Sequence, residues 1–332
     1  MNPRRVRILG TGLAVPERKV TDQEIERDLG LPVGWIRKTG GVETRHWITT
    51  ETAAQLGARA ARTALERAEV APSDLDLILS AGGTEQQPIP CTAVFVQREL
   101  GLADSGIPAF DIDATCLSFL MALDVAAQFI DAGRYRRILV VSPDIASVGL
   151  NREHKESYTI LGDGAGAVVV GPSGESSSAI LTARFNTWSS QAELCQIKGG
   201  GTRIYPTHYT PERRNDFLFE MDGMGSFRFV SQVVEQFIDD LFRPTGRTLA
   251  DVDYVVPHQA SRLALELIIK KRLRVPSEKM VDVLAKYGNT IAASIPMALH
   301  EAILDGRIRR GQQLLLVGSS AGLSLGGMLV VY

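Results

Sequence analysis

Apolar residues recur along this chain in two rhythms. In Ala53–Glu69, Leu117–Asp131, Phe229–Phe242 and Ile295–Leu304 they return every three or four positions, which lines one face of a helix. Between these stretches lie unbroken apolar runs. Asp74–Ser80 (DLDLILS) and Asp251–Pro257 (DVDYVVP) each pass from an acidic turn into β-branched or aliphatic residues, which predicts buried strands. Asp131–Ser142 (DAGRYRRILVVS) and Asp305–Gly318 (DGRIRRGQQLLLVG) each read as a helix end, a basic turn and another buried strand. Two glycine-rich strands follow, Gly162–Val170 and Gly322–Val331, and RVRILGTG near the start reads as a short strand and turn.

These segments come in the same order twice, so the chain reads as an internal duplication. The halves are expected over residues 1–172 and 173–332. Strands alternating with helices imply an α/β architecture with largely covered sheets. The repeat also relates two polar residues: Cys116 stands 18 positions before Arg134, and Asn289 stands 18 before Arg307. Both are therefore expected at the start of a helix that ends in a basic turn. His258 closes the run DYVVP, and all three are placed near the seam between halves, where pockets tend to form.

Composition narrows the function classes. A length of 332 residues suggests about two units, each able to bury a core. The formal net charge of −2 carries none of the basic excess expected of a nucleic-acid binder. No apolar run approaches a membrane span, and MNPRRVRILGTG lacks the apolar core of a secretory signal. Three cysteines (Cys91, Cys116, Cys195) without paired spacing fit a reducing compartment, so the expected location is cytoplasmic. Neither they nor His46, His154, His208 and His300 show metal-ligand spacing, and no metal site is expected.

Three positions can carry chemistry. Cys116 follows the predicted strand Ala109–Asp113 and opens the helix LSFLMALDVAAQFI. Unpaired N–H groups and the helix dipole there would lower a thiol pKa and favour the nucleophilic thiolate; a small buried hydrophobe is the competing account. His258, in VVPHQAS, is either a strand-end histidine or a neutral imidazole that moves a proton or donates to an oxyanion. Asn289, in KYGNTIAAS, either caps the following helix or points its amide at a substrate carbonyl. The loop Gly318–Gly326 (GSSAGLSLG) would let backbone N–H groups approach a ligand, or is a plain tight turn. GDGAG at 162–166 lacks the phosphate-loop lysine and dinucleotide spacing, and reads as close strand packing.

Cys, His and Asn in this order, with WIRKTGGVETRHW (35–47), DATCLSF (113–119), LGDGAGAVVV (161–170), VPHQAS (256–261) and YGNTIAASIPMALHEAILDGRI (287–308), resemble the thiolase superfamily. The likeness is strongest to the β-ketoacyl-acyl-carrier-protein synthase III group and spans nearly the whole chain. It implies a five-layered αβαβα fold of two thiolase-like halves, and a homodimer. It implies that Cys116 takes an acyl group from an acyl-CoA, with the N–H groups of Cys116 and Ala321 as oxyanion hole. His258 and Asn289 would bind the thioester carbonyl of malonyl-acyl carrier protein and stabilise the enolate left by loss of CO₂. No metal or redox cofactor is implied. Trp35 and Lys38 match positions that grip CoA, and Lys270 and Lys271 match a carrier-protein docking face.

Ile89 stands where short-chain members carry a phenylalanine that reaches the partner's acyl pocket. VPHQAS, SSAG and DATCLSF also depart from the commoner motifs. These differences suggest a medium or branched acyl donor. Competing readings are acyl transfer to an oxygen or nitrogen nucleophile, condensation of two acyl-CoAs without decarboxylation, and a non-catalytic scaffold. The second requires a carboxylate base near the cysteine.

Overall fold

The computed structural model describes residues 3–332. In chain order its elements begin β1 (Val6–Ala14), β2 (Lys19–Thr21), α1 (Asp22–Leu29), α2 (Trp35–Thr39), β3 (Thr44–His46), α3 (Ala53–Ala68) and β4 (Leu77–Ser80). Then come α4 (Thr92–Glu99), β5 (Ala109–Asp111), α5 (Ser118–Asp131), β6 (Ile138–Asp144), α6 (Lys155–Tyr158) and β7 (Gly164–Pro172). The remainder runs β8 (Ala179–Thr187), β9 (Cys195–Gln196), β10 (Glu220–Met221), α7 (Gly223–Phe242), β11 (Tyr254–Pro257) and a wide-turn helix, Ala264–Arg272. It closes with α8 (Leu284–Tyr287), α9 (Ser294–Leu304), β12 (Gln313–Ser320) and β13 (Ser324–Val331).

The first large sheet has the order β1-β7-β6-β4-β5 and the second β8-β13-β12-β11. Strand for strand these are the same arrangement, and the second continues past β11 through a parallel bridge from Val255 to Met280. In both sheets alternate residues face opposite ways, as a pleated strand requires. Leu77, Leu79, Ile138, Val140, Val168 and Val170 of the first sheet share one apolar cluster with Leu314, Leu316, Met328 and Val330 of the second. Between the sheets lie α5 and α9, whose Phe119, Leu120, Leu123, Ile295, Met297 and Leu299 belong to that same cluster. Ile78, Leu139, Val141, Ala167 and Val169 pack outward on α3 and α4. Leu315, Val317, Leu325 and Leu329 pack outward on α7 and the wide-turn helix. Helix, sheet, helix pair, sheet, helix is the expected five-layered duplicated fold, and the two inner helices are apolar all round because both faces are covered.

The helical periodicities translate closely: α3, α5 and α9 begin and end within a residue of the predicted stretches. Helix α7 starts earlier, at Gly223, because Asp222 caps it by accepting Gly225 N–H at 2.7 Å. RVRILGTG is no short strand and turn. Its glycines lie inside the nine-residue β1, where a Cβ at Gly10 or Gly12 would stand 2.2 or 2.0 Å from a carbonyl oxygen of α3. Glycine serves there as the floor on which a helix lies. GDGAG is close packing as expected, since Gly166 leaves room for Pro296 of α9. Gly318 and Gly326 are not loop residues either: they face each other in the β12–β13 ladder, and the intervening turn is only Ala321–Leu323.

The equal spacing of Cys116 and Asn289 from their basic turns does not give them equivalent places. Helix α5 has 14 residues and α9 has 11. Counted from the helix starts, the matching points are Thr115 and Ile291, each followed by a short 3-10 turn and each in left-handed backbone, φ 49° and 52°. Asn289 therefore lies two residues ahead of the turn that corresponds to the one holding Cys116.

Candidate active site

The cysteine turn is built from the end of β5. Asp113 accepts Thr115 N–H at 2.7 Å, and Ser118 Oγ at the head of α5 accepts Ala114 N–H at 2.9 Å and donates to Thr115 C=O at 2.7 Å. This forces the left-handed Thr115 and sets Cys116 in front of the first turn of α5. From the other half, Ser320 Oγ reaches across to donate to Ala114 C=O at 2.8 Å and also bonds the Thr115 hydroxyl. Residue Ala321 follows at once, so the N–H groups of Ala321 and Cys116 lie on adjoining turns. The cysteine turn and the Ala321 turn are thus brought together by residues from opposite halves of the chain.

Burial pushes the Cys116 thiol up to about 12, with the buried Asp144 carboxylate adding to the rise and those two N–H groups opposing it. The lowering expected at a helix end is not what the site gives: removal from water raises the thiol instead, and outweighs both N–H donors. Cys116 therefore rests as a thiol and has to lose its proton as it attacks. Cys195, read from sequence as a packing residue, lies near enough to add to the same rise; its thiol is within 3.5 Å of Ser226 Oγ.

His258 continues β11, held by its own N–H to Val317 C=O at 2.8 Å. Gly318 makes the close approach possible, since a Cβ there would stand 2.8 Å from His258 Cβ and 3.4 Å from Leu117 Cδ2. Histidine and the residue next to Cys116 thus lean on the same bare strand position. His258 is 5% exposed, and burial depresses its pKa to about 4, so the imidazole is neutral. Its Nδ1 meets only a hydroxyl, Ser294 Oγ, at 2.6 Å. A hydroxyl both donates and accepts. It therefore supports the tautomer that leaves Nε2 free as a base and the one that leaves Nε2–H as a donor. Gln259, fully buried, anchors this corner by donating to Pro257 C=O and accepting Val283 N–H.

Asn289 is a cap, one of its two sequence readings. Its Oδ1 accepts Ile291 N–H at 2.9 Å, capping the turn, while Nδ2 donates one hydrogen to Ala260 C=O at 3.1 Å. The second amide hydrogen has no protein partner among the described residues. The Asn289 backbone is clamped from both sides, N–H to Ile160 C=O at 2.8 Å and C=O from Gly162 N–H at 3.0 Å. Behind it lies Arg45, fully buried, donating to Thr159 C=O and lowered to about 10 by burial.

Other flagged residues lie outside this centre. Trp35 is half-buried at the start of α2, whose N-terminal N–H groups at Gly34 and Ile36 are bound by the buried Glu26 at 2.9 and 2.8 Å; Lys38 is exposed on the same short helix. Ile89 is 84% exposed on the loop before α4. On the wide-turn helix Lys270 is paired with Glu266 at 2.8 Å, whereas Lys271 is exposed beside a cleft of about 400 Å³ that Arg272 and Arg274 also line. No group of three or more potential metal ligands occurs among the described residues, and no helix there is long and apolar enough to cross a membrane. Sequence reasoning missed Asp144, Ser294, Ser320, Glu26 and Arg45, whose polar types give no signal until their partners are known.

Comparison with known proteins agrees with this geometry. The family described as 3-oxoacyl-[acyl-carrier-protein (ACP)] synthase III matches residues 110–189, and its C-terminal counterpart matches 242–332. The β-ketoacyl-[acyl-carrier-protein] synthase III of Aquifex aeolicus is 34% identical over 98% of this chain and 99% of its own length. That of Syntrophomonas wolfei is 35% identical over 98% and 97%. The crystal structure of the Aquifex enzyme superposes with a TM-score of 0.89, covering 98% of this chain and 100% of that one. The priming β-ketosynthase of the R1128 polyketide pathway is 29% identical with a TM-score of 0.88, covering 99% and 97%. Relatives of nearly the same length thus share both the sequence and the fold of this chain, and the chain belongs to the β-ketoacyl-[acyl-carrier-protein] synthase III family.

Proposed function

We propose that the protein catalyses decarboxylative condensation of an acyl group from acyl-CoA with malonyl-acyl carrier protein, giving a β-ketoacyl-acyl carrier protein. Cys116 Sγ attacks the acyl-CoA carbonyl as its proton passes to His258 Nε2. The tetrahedral oxyanion is held by the N–H groups of Cys116 and Ala321, and CoA leaves as its thiol, taking the proton back. The malonyl thioester carbonyl then lies against His258 Nε2–H and the free Asn289 amide hydrogen. Cleavage of the carboxylate C–C bond releases CO₂ and leaves an enolate on those two donors. Its carbon attacks the acyl-Cys116 carbonyl, forming the new C–C bond and expelling the Cys116 thiolate, which takes up from solvent the one proton that the whole reaction consumes. Preorganised donors of this kind are worth roughly 10²–10³-fold each in rate. The observation that carries the reading is the close approach of the two halves here. Ser320, next to Ala321, bonds the cysteine turn, Gly318 lets His258 and Leu117 lean on one strand position, and Asn289 keeps an amide hydrogen to spare.

Trp35 and Lys38 on α2 are proposed to hold CoA, and Lys271 with Lys270 to meet the acidic carrier protein. The exposed Ile89 supports a partner-facing role in shaping the acyl pocket, with a medium or branched donor. Strand β5 supports a homodimer, because it is an edge of its sheet and exposes Phe110. Three free cysteines fit a cytoplasmic enzyme, and the boundary between halves is placed after residue 172.

Intact-protein and product masses after incubation with acyl-CoAs, with and without malonyl-acyl carrier protein, test the proposal. Wild type is expected to gain one acyl group and then yield a product two carbons longer with loss of CO₂. Cys116→Ala is expected to gain none. Asn289→Ala is expected to acylate but to condense at least about 100-fold more slowly, and His258→Ala, which also loses the base for Cys116, to slow both steps. Acylation without extension in wild type would defeat the proposal.

A further inference from the structure

Behind the catalytic corner lies a carboxylate that takes no part in the chemistry above. Asp144 ends β6, is fully buried and faces no cation within bonding distance among the described residues. It accepts four hydrogen bonds instead. Oδ1 takes Gly83 N–H at 2.7 Å, Thr84 N–H at 3.0 Å and the Thr84 hydroxyl at 3.2 Å, and Oδ2 takes Ala293 N–H at 2.9 Å. The first three come from the loop after β4 and the last from the turn before α9, so one side chain joins the two halves of the duplication.

What it joins is specific. Gly83 is wedged between the two left-handed turns: a Cβ there would stand 2.7 Å from Ile291 Cγ2 and 3.1 Å from the Thr115 carbonyl. Ala293 is followed by Ser294, whose hydroxyl is the sole partner of His258 Nδ1. The cysteine turn has other supports, from Asp113, Ser118 and Ser320. Ala293 N–H has only Asp144 and the weaker local contact to Thr290 C=O at 3.1 Å. A buried carboxylate is costly to keep, and full satisfaction by donors from separate segments is what holds it in place.

We infer that Asp144 is a positioning residue for the condensation step, holding the Ala293–Ser294 turn so that Ser294 orients the His258 imidazole. The inference rests on the function proposed above. Acylation of Cys116 uses Nε2 only to accept a proton, and the cysteine turn has supports from Asp113, Ser118 and Ser320. Enolate stabilisation needs Nε2–H and the Asn289 amide to meet on one oxygen, and so is the more sensitive to where Nε2 points. Asn at this position keeps one oxygen but sets an NH₂ group against either Ala293 N–H or the Gly83–Thr84 donors, so one side of the junction is lost.

The test compares wild type, Asp144→Asn, Ser294→Ala and the double variant, each as the full chain. Acylation by acyl-CoA is read by intact mass, condensation kcat and KM by product formation, and folding by a cooperative melt. Asp144→Asn is expected to acylate within about threefold of wild type and to lose at least tenfold in condensation kcat, with KM for malonyl-acyl carrier protein unchanged. In the Ser294→Ala background it is expected to add less than threefold, because coupled residues are non-additive. Parallel loss in both half-reactions, a change in KM alone, or full additivity would each overturn the inference. Should Asp144→Asn lack a cooperative melt, Thr84→Val, which withdraws one donor from the same carboxylate, carries the test. It is expected to slow condensation more than acylation by at least threefold, and equal loss would overturn the inference. Failure of wild type to condense would instead defeat the function proposed for the site.

Discussion

His258 and Cys116 have pKa values displaced in opposite directions by the same cause. Burial disfavours whichever form is charged, so it holds the imidazole neutral and the thiol protonated. With a histidine pKa of about 4 the imidazole stays neutral from pH 7.5 to 5.5, so pre-acylated Asp144→Asn enzyme, which lacks the Asp144 titration near 7, is expected to keep its kcat across that range. An ordinary imidazole of pKa about 6.5 would be some tenfold protonated at the lower limit and would lose activity accordingly. A tenfold fall across that range, measured as product formed per acylated enzyme, would refute the neutral-imidazole account. The same shift bears on stability. The unfolded chain binds this proton more readily, so the His258 contribution is present above about 6.5 and is lost as pH falls toward 4. Asp144, raised by burial to about 7 from 3.8, has the opposite sign: the folded form holds the proton more tightly, and stability falls as pH rises through that window. Cys116, His258 and Asn289 could be marked from residue type and context. Asp144 could not, because at the end of ILVVSPD it looks like any strand-end acid, and only its neighbours make it a junction.

Secondary-structure elements were legible where their period was long. Helices α3, α5 and α9 each present several turns of apolar spacing, and the sheet strands are short unbroken apolar runs. Glycines were the least legible positions, since a glycine in a turn and a glycine beneath a crossing helix look alike in sequence. Gly10 and Gly12 are the clearest case: both sit in β1 under α3. Gly12→Ala is expected to destabilise the protein by roughly 1–3 kcal/mol through forced separation of strand and helix. Urea unfolding reads this directly, and a change below about 0.5 kcal/mol would show that the close approach is not needed. An alanine at Gly101, where a Cβ meets nothing within 4 Å but φ is +80°, would act through backbone strain instead.

At the scale of the whole molecule, the duplication places each half's polar turn at the centre while both outer faces are covered by helices. Strand β5 is an edge of the first large sheet, and its Asp111 binds the N–H groups of Thr92 and Ala93 just after the loop that carries Ile89. Sedimentation equilibrium is expected to give twice the chain mass, and Phe110→Glu to shift the population toward monomer, since a charge on an edge strand opposes strand pairing. A wild-type monomer at micromolar concentration would remove the basis for a partner-facing Ile89.

The amino-acid sequence by itself determined the layers, the repeat, the family and the three chemically marked residues. Each is a property of local period or of a motif read within a short window, and local period decides which faces must be buried. Tertiary structure alone decided the rest. Equal spacing from a basic turn suggested that Cys116 and Asn289 were equivalent, but a helix three residues shorter in the second half moved Asn289 out of register. A helix end suggested an acidic thiol, but the covering by both halves raised it. Ser294 and Asp144 acquired roles because residues far apart in the chain became their hydrogen-bond partners. Burial and partnership are set by what lies across the interface between layers, and no stretch of sequence contains both sides of it.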